Sequence, residues 1–526
     1  MQANASVAAA GLRRPLPTSA KTVADLMTSP AVSAGPGQSL ETAAARMAGS
    51  GVGSVLVLES TRLVGILTER DLVRAGAAGA DPAKARVGEW MTADPDSVGP
   101  DVEVVDAWRS LAAHGYRHIP VVSGSEVLGV VSIRDLVRVA QLRPVDGVFT
   151  DVPRGLEGVV AAETAVGSVR GLEGFFHYRQ YSAIELAHKR GFEDVWRLLF
   201  DGELGGREEM AAFVVEVQPL RVLPAPVSDL LPALVRAAGG APLLDQLRTA
   251  VSLLGSVEHF RATQDLDRSA IRRDALRVAA VVPTLVAALW RAGRGEEPVD
   301  PREDLGFVAN YLYMLFGVEP GPTRVRALER YLISTIDHGL NASTFTARVV
   351  TSTGADVAAG VVAGIAALSG PLHGGAPSRA LDTLDAIGTP ERADAFIRAA
   401  VEHGDRIMGF GHRVYKTLDP RSEMMRETAE GFGGPLVEFA EQVEATVVAV
   451  LDELKPGRQL YTNVEFYAGV VMELCGLPRD LFTPTFAVSR TIGWCAHLLE
   501  QAADNRIIRP SSRYIGPPPP QPVPAA

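Results

Sequence analysis

An internal repeat in the first 140 residues constrains the fold of this chain more than any other feature. Its two copies are offset by a constant 64 positions, which pairs Val23 with Val87, Met27 with Met91, Ala43 with Ala107, Gly51 with Gly115, Val57 with Val121, Gly65 with Gly129 and Asp71 with Asp135. Each copy begins with an extended Met-Thr segment, and strands then alternate with helices, which indicates a small α/β unit. Because one copy of about 60 residues would be marginally stable alone, we expect the two to pack as a pair.

The second strand of each copy ends in a polar segment. The predicted elements are helices over Ser39–Ser50 and Val102–His114 and strands over Ser54–Leu58, Val64–Leu67, His118–Val122 and Leu128–Val131. The polar segments are Gly65-Ile-Leu-Thr-Glu-Arg-Asp71 and Gly129-Val-Val-Ser-Ile-Arg-Asp135. In each, a hydroxyl residue ends the strand and an aspartate follows three positions later, where a helix starts. Backbone N–H groups at a helix start attract phosphate, but Ser, Thr and Asp are also common helix caps. Both interpretations remain open.

On these segments the repeat resembles a tandem CBS-domain pair over residues 21–140, with copies at 21–80 and 85–140. The resemblance implies an adenine nucleotide as a regulatory ligand. In such pairs the hydroxyl contacts phosphate and the aspartate holds the ribose, which implies a nucleotide site at Thr68, Asp71, Ser132 and Asp135. Residues 1–20 are expected to be a disordered segment.

Beyond the repeat, the sequence changes to long amphipathic helices. Residues 141–154 contain two prolines and no periodicity, so we interpret them as a linker. The predicted helices are Ser182–Phe200, Leu243–Leu254, Arg273–Trp290, Glu303–Phe316, Thr323–Ile336, Pro390–Glu402 and Leu436–Leu454. A short hairpin is possible near Val159–Tyr178, and residues 517–526 form a Pro-rich tail that cannot build a helix. The C-terminal part is therefore predicted to be mainly α.

Six short segments of this part bring together three histidines, one carboxylate and three arginines. They are Asp337-His-Gly-Leu-Asn-Ala-Ser343, Ser369-Gly-Pro-Leu-His-Gly-Gly375, the run from Gly409 to Arg421, Asn463-Val-Glu-Phe-Tyr-Ala-Gly469, Ser489-Arg-Thr-Ile-Gly493 and Ile507-Ile-Arg-Pro510. Histidine can polarise a carbonyl, a carboxylate can take a proton from carbon, and arginine grips carboxylates bidentately. Such a set suits carbon–carbon bond formation on a polycarboxylate.

In order and spacing, these segments resemble citrate synthase over residues 155–516. The resemblance implies a multidomain protein in which the α/β CBS pair precedes a mainly α synthase domain with large and small helical subdomains. It also implies condensation of acetyl-CoA with oxaloacetate, no tightly bound cofactor, and a homodimer or higher homo-oligomer. The implied catalytic residues are His373, His412 and Glu465. The implied oxaloacetate ligands are His338, Arg421, Arg490 and Arg509, the last reaching the other subunit's site.

Three positions qualify the resemblance. Lys416 falls where the family has a basic residue near a coenzyme A phosphate, although a solvated lysine is an equally good interpretation. Glu465 replaces the usual aspartate and is one methylene longer, and a misplacement near 1 Å can cost on the order of 100-fold in rate. Gly339 stands where glutamate is frequent.

Two other functions are compatible with the sequence. A 2-methylcitrate synthase would use propionyl-CoA, and one extra methylene changes binding by only about 1–3 kcal/mol. A catalytically weak nucleotide or metabolite sensor is the other alternative, and Glu465 and Gly339 are the reasons to consider it. The three histidines lack the i, i+4 spacing of helical zinc sites, so no metal site is predicted.

Composition restricts the partners and the compartment. The net charge of −11 argues against a nucleic-acid partner. The longest apolar runs, near Val278–Trp290 and Val357–Leu368, are shorter than the roughly 18 residues of a membrane span. The N-terminus lacks the order of a signal peptide. Cys475 and Cys495 lie in apolar runs, which favours buried free thiols in a reducing compartment. We therefore expect a cytoplasmic protein that does not bind a membrane.

Overall fold

The computed structural model describes residues 22–104, 106–107, 110–111, 116–124, 126–133, 135, 154–156, 158–373, 376–405, 407–411, 417–455, 460–512, 514–517 and 519–523. The chain divides into two compact units, Met1–Ala161 and Ala162–Ala526. The predicted N-terminal segment and nearly all of the predicted linker lie outside the described residues, as do parts of the predicted helix Val102–His114.

The described part of the N-terminal unit alternates strands with helices, as predicted. Its elements are β1 (Ser33–Ala34), α1 (Leu40–Ser50), β2 (Ser54–Glu59), β3 (Arg62–Thr68), α2 (Glu69–Ala77), α3 (Val87–Trp90), β4 (Thr92–Ala93), β5 (His118–Ser123) and β6 (Glu126–Ser132). One sheet has the order β1-β2-β3-β4, with β1 parallel to β2 and the other pairs antiparallel, and β5 pairs with β6 in a second sheet. Both hairpins have a register shift at the same place in the repeat, after Val57 and after Val121.

The two copies exchange their opening segments. Thr28 of the first copy bridges to Val130 of the second, and Thr92 of the second pairs with Ile66 of the first. Each copy therefore completes the backbone pairing of the other, and the two pack as a pair. For this reason the copies are not self-contained modules, although the repeat is continuous in sequence.

The buried cores and two closely packed glycines show the same exchange between the copies. Val23 is buried in the core of the second copy, and Val87 is buried in the core of the first. A Cβ atom on Gly65 would lie 2.4 Å from the sulfur of Met91, and one on Gly129 would lie 2.7 Å from a backbone oxygen of the other copy. Glycine at both positions allows the exchanged segment to approach the strand closely.

The second unit is mainly helical, with one small sheet in its described part. The sheet contains β7 (Gly167–Arg170), β8 (Phe175–Tyr178) and β9 (Tyr181–Ser182) in sequential antiparallel pairing. The helices are α4 (Ala183–Lys189), α5 (Phe192–Asp201), α6 (Arg207–Val217), α7 (Ala225–Ala238), α8 (Leu243–Val257), α9 (Arg268–Gly293), α10 (Phe307–Phe316), α11 (Pro322–Thr335), α12 (Ala342–Ser352), α13 (Val357–Leu368), α14 (Ala376–Ile387), α15 (Pro390–His403), α16 (Pro420–Glu430), α17 (Pro435–Leu454), α18 (Val464–Leu474) and α19 (Phe482–Ala503).

The prediction of one helix over Ser182–Phe200 was wrong, because two helices occupy this segment. Arg190 is extended between α4 and α5, with φ −126° and ψ 159°. Gly191 then caps α5, and its N–H donates to the Asp194 carboxylate at 3.0 Å. An aspartate three residues after the cap satisfies a free N–H at the helix start, which favours a new helix over continuation.

The longest helix of the described residues is largely buried. α9 (Arg268–Gly293) has 26 residues and is long and apolar enough to cross a membrane. The apolar run Val278–Trp290 that the sequence analysis used is shorter than this helix. However, 83% of its most apolar stretch is buried inside the protein. Burial on all sides is typical of a core helix. Cys475 and Cys495 are buried free thiols, as predicted.

Candidate active site

The turn after α11 presents His338. Asp337 is buried, and its Oδ2 accepts the N–H of Gly339 at 3.0 Å. The His338 ring lies 5.7 Å from the ring of Phe176, which belongs to the small sheet. Gly339 has φ 62°, a left-handed conformation that glycine adopts without strain. The glycine that departs from the family pattern therefore suits the local backbone.

Arg490 lies on α19 and is buried. Its Nε donates to the Thr335 carbonyl at 2.8 Å, and its guanidinium lies 4.6 Å from the Phe486 ring centroid. Burial lowers the pKa of Arg490, while the nearby Asp337 carboxylate opposes this effect. A buried arginine can bind a substrate carboxylate through two parallel N–H groups.

A single glycine sets the position of Arg490. A Cβ atom on Gly493 would lie 2.0 Å from the backbone oxygen of Ile336. Because no other residue allows this approach, Gly493 brings α19 directly against the end of α11, where Thr335 accepts from Arg490.

Arg421 is held by a carboxylate that the sequence analysis missed. Its Nε and Nη2 donate to Asp419 Oδ1 and Oδ2 at 3.0 Å and 2.9 Å, and both side chains are buried. Asp419 also caps α16 and accepts the N–H of Val464 at 3.1 Å. The Asp-Pro pair at a helix start is a recognisable capping signal, but its pairing with Arg421 depends on the fold.

Glu465 lies in the first turn of α18. Asn463 caps this helix, and its Oδ1 accepts the N–H of Glu465 at 3.0 Å. Burial raises the pKa of Glu465 from 4.5 to about 7, and Asp419 adds to the rise while Arg421 and Arg490 oppose it. A carboxylate with a pKa near neutrality is well matched to act as a general base at neutral pH.

His373 lies in the turn after α13, where its Nε2 is 2.8 Å from Ser343 Oγ. Burial lowers the pKa of His373 to about 4, and the positive charge of Arg490 adds to the effect. The imidazole is therefore neutral at pH 7 and has one N–H to donate. Ser343 Oγ also accepts from Trp494 Nε1 at 3.2 Å and is 2.8 Å from Asn341 Oδ1, to which it donates its single proton.

The structure thus brings His338, His373, Arg421, Glu465 and Arg490 into one region of the second unit. Residues 155–511 of the chain match the family model of the citrate synthase C-terminal domain, and residues 23–78 and 87–141 match that of the CBS domain. The chain belongs to the citrate synthase family.

Relatives and solved structures agree with this assignment. The sequence is 38% identical over 371 residues to a citrate synthase of Deinococcus radiodurans, covering 70% of this chain and 97% of that protein. It is 40% identical over 364 residues to citrate synthase 2 of Bacillus subtilis, covering 69% and 96%.

The crystal structure of citrate synthase from Thermotoga maritima aligns with a TM-score of 0.62 at 34% identity, covering 71% of this chain and 98% of that one. The structure of the ternary complex of carboxymethyl coenzyme A and oxaloacetate with citrate synthase from Thermoplasma acidophilum aligns with a TM-score of 0.66 at 27% identity, covering 71% of this chain and 98% of that one. The fold class, the family and the acyltransferase enzyme class expected from the sequence are confirmed.

A buried network behind His338 was not predicted from the sequence. His497 Nε2 lies 3.1 Å from Asp337 Oδ1, and Arg348 Nη1 lies 3.0 Å from His497 Nδ1. Because arginine can only donate, Nδ1 of His497 is the acceptor and Nε2 carries the proton. Burial would raise the pKa of Asp337, but His497 and Arg490 outweigh it, and the pKa is lowered. The carboxylate that precedes His338 is therefore ionised and fixed in place.

Three further residues were predicted for the synthase site. His412 and Lys416 lie outside the described residues. Arg509 is exposed on the segment that follows α19, next to Ile508, whose N–H donates to Ser352 Oγ at 3.0 Å. The roles of these three residues stay predictions. Among the described residues, no group of three or more His, Cys, Asp or Glu side chains could hold a metal ion.

The four predicted nucleotide ligands form two helix caps in the CBS pair. Thr68 Oγ1 donates to Asp71 Oδ2 at 2.8 Å, and Ser132 Oγ donates to Asp135 Oδ2 at 2.6 Å. The capping interpretation is therefore correct for this structure. Thr68 and Asp71 also line a cavity of about 490 Å³ together with Arg70, Thr92 and Arg117, among others. Because a cap and a ligand site can share the same residues, the cavity leaves the nucleotide prediction in place.

Proposed function

We propose that this chain condenses acetyl-CoA with oxaloacetate and hydrolyses the product to citrate and coenzyme A. The observation that carries the proposal is the pair of shifted pKa values. A base with a pKa near 7, Glu465, and a neutral imidazole, His373, lie in the same site as two buried arginines. This combination suits deprotonation of carbon next to a thioester, followed by attack on an anionic ketone.

In the first step, Glu465 takes a proton from the methyl carbon of acetyl-CoA, and the thioester becomes an enolate. His373 donates an N–H to the enolate oxygen, which stabilises the developing charge. Since Nε2 of His373 faces Ser343, the donor is Nδ1, and this requires the Ser343 hydroxyl to turn its proton from Asn341 Oδ1 to Nε2. The neutral histidine therefore depends on Ser343 for the correct tautomer.

In the second step, the enolate carbon attacks the ketone carbon of oxaloacetate and forms the new carbon–carbon bond. We assign the carboxylates of oxaloacetate to Arg421, Arg490 and the partner-reaching Arg509. His338 binds the substrate, and His412 polarises its ketone. Water then hydrolyses the citryl thioester and releases the coenzyme A thiol.

The experiment is thiol release from acetyl-CoA in the presence of oxaloacetate, with propionyl-CoA as a parallel substrate. Glu465→Gln should abolish turnover because the amide cannot accept the methyl proton. Glu473→Gln is the matched control, since it makes the same change at an exposed position of α18 and should retain activity. Turnover that survives Glu465→Gln would disprove the role of the base. A higher kcat/KM with propionyl-CoA would identify a 2-methylcitrate synthase.

The CBS pair supports a second part of the proposal, in which an adenine nucleotide binds beside Thr68 and Asp71 and shifts the conformational equilibrium of the synthase domain. The cavity supplies the space, and Arg70 and Arg117 supply positive charge for phosphate. Such coupling counts as allostery only when the nucleotide favours one state over the other. In this proposal the CBS pair spans residues 21–140 and the synthase domain spans residues 155–516.

Asp71→Asn should weaken nucleotide binding measured by calorimetry with ATP, ADP and AMP. Asp71 is also a helix cap, so a control must remove a cap without touching the cavity. Asp25→Asn does this, because Thr22 and Asp25 form the same capping box at the start of the unit. Equal loss of binding in both variants would show that capping, and not ligand contact, explains the effect. Unchanged kinetics at saturating nucleotide would disprove regulation.

We further propose a cytoplasmic homodimer or higher homo-oligomer. Phe345, Val349 and Val362 on α12 and α13 are only half-buried in the single chain. An apolar surface of this kind is stabilised when a second subunit covers it. Light scattering measures the assembly, and a monomer that retains full activity would contradict the role of Arg509 across subunits.

A further inference from the structure

Glu444 lies near the middle of α17 and accepts hydrogen bonds from two residues, one before and one after Glu465 in the sequence. Its side chain is 14% exposed. Oε1 accepts the hydroxyl of Thr462 at 2.6 Å, and Oε2 accepts the hydroxyl of Tyr467 at 2.5 Å. One carboxylate therefore binds the residue just before the cap of α18 and a residue of its first two turns.

Thr462, the first of the two hydrogen-bond partners of Glu444, pairs with the segment of residues 409–411, which precedes His412 in the sequence. A short backbone pairing holds residues 409–411 against residues 461–463. Its contacts are the bridge between Phe410 and Thr462 and the hydrogen bonds from Gly411 N–H to the Tyr461 carbonyl (2.7 Å) and from Asn463 N–H to the Gly409 carbonyl (2.9 Å). A shift of Thr462 would therefore move the residues that directly precede His412 in sequence.

The Tyr467 side fixes the helix that carries Glu465. Tyr467 is buried two residues further along α18, and burial together with the Glu444 hydrogen bond raises the pKa of the phenol. The phenol remains protonated and donates to the carboxylate. Arg426, on the same helix as Arg421, has its Nη1 3.5 Å from Glu444 Oε2. Glu444 thus connects α16, α18 and the segment of residues 461–463 that directly precedes α18.

We propose that Glu444 is a positioning residue that fixes the proton-abstracting carboxylate of Glu465 relative to the backbone of residues 409–411. This inference rests on the proposed function. Glu465 has one more methylene than the usual aspartate, so its carboxylate depends more strongly on the orientation of α18. Errors near 1 Å at a reacting group cost on the order of 100-fold in rate.

The principal test compares Glu444→Ala with Glu444→Gln in the full-length protein. Alanine removes both hydrogen bonds, and we expect kcat per folded enzyme to fall by about 10- to 100-fold. Glutamine can accept from one hydroxyl and donate to the other, so it should restore most of the activity. Glu453→Ala is the control, because it removes an exposed ion pair with Arg398 from the same helix and should leave kcat unchanged. An unchanged kcat in Glu444→Ala, or a glutamine variant as slow as alanine, would overturn the proposal.

Two further variants separate positioning from general stabilisation and do not require Glu444 to be altered. Tyr467→Phe frees the helix side and should lower kcat with little change in the KM for oxaloacetate. Thr462→Val frees the segment of residues 409–411 and should mainly raise that KM. A loss of folded protein with normal kcat and KM in both variants would show a structural role only. If Glu465→Gln retains turnover, the proposed function itself fails; if it is inactive while Glu444→Ala is normal, only this inference fails.

Discussion

Burial of Glu465 should make the active enzyme less stable than an inactive variant at neutral and alkaline pH. The pKa of Glu465 rises from 4.5 to about 7 on folding, chiefly through burial. Each pKa unit corresponds to about 1.36 kcal/mol, so ionising this group in the folded protein costs on the order of 3 kcal/mol. The folded state binds the proton more tightly than the unfolded state. Stability from this group is therefore intact below pH 4.5, declines as the pH rises toward 7, and is fully lost above it.

Glu465→Gln keeps the shape of the side chain and removes the ionisation. We expect the variant to gain stability relative to the unmodified protein as the pH rises from 5 to 8, by up to about 3 kcal/mol. Urea unfolding at pH 5, 6, 7 and 8 measures the difference, at one fixed protein concentration because assembly contributes to stability. Glu473→Gln, exposed on the same helix, should show no such trend. A difference between Glu465→Gln and the unmodified protein that does not change with pH would refute the reasoning.

Three further substitutions test the geometry of the site. Gly493→Ala places a Cβ atom 2.0 Å from the Ile336 carbonyl oxygen, and we expect a loss of about 3 kcal/mol in thermal or urea unfolding together with weaker oxaloacetate binding. A fully stable alanine variant would contradict the close approach. Ser343→Ala removes the hydroxyl that faces Nε2 of His373, and kcat should fall about 10-fold while the KM values change little. Arg421→Lys cannot form the bidentate pair with the neighbouring buried carboxylate, so the KM for oxaloacetate should rise at least about 10-fold; an unchanged KM would exclude this arginine as a ligand.

Short-range patterns were sufficient for the architecture and for proposing site residues. The 64-residue repeat predicts the α/β pair, since strand and helix periodicities are visible within each copy. The glycine-flanked segment around His373 and the capped start of α18 likewise predict where reactive side chains leave regular structure. Each of these signals lies within a few neighbouring residues, which is why sequence reveals it.

Long-range packing determined how those residues can act. The exchange of Thr28 and Thr92 between the CBS copies is invisible in the repeat, because similar segments can pair within a copy or across to the other. The break between α4 and α5 was missed because a continuous apolar pattern does not reveal a competing side-chain cap.

The chemistry of the site depends even more on the fold. Ser343 contacts His373, Asp419 accepts the N–H of Val464, and Glu444 accepts the hydroxyl of Tyr467. Nothing in local sequence specifies these long-range partners. The shifted pKa values of Glu465 and His373 arise from burial and from charges brought near by folding. Sequence therefore proposes the acid–base groups of this enzyme, whereas packing sets their protonation, since desolvation and through-space charge exist only in the folded chain.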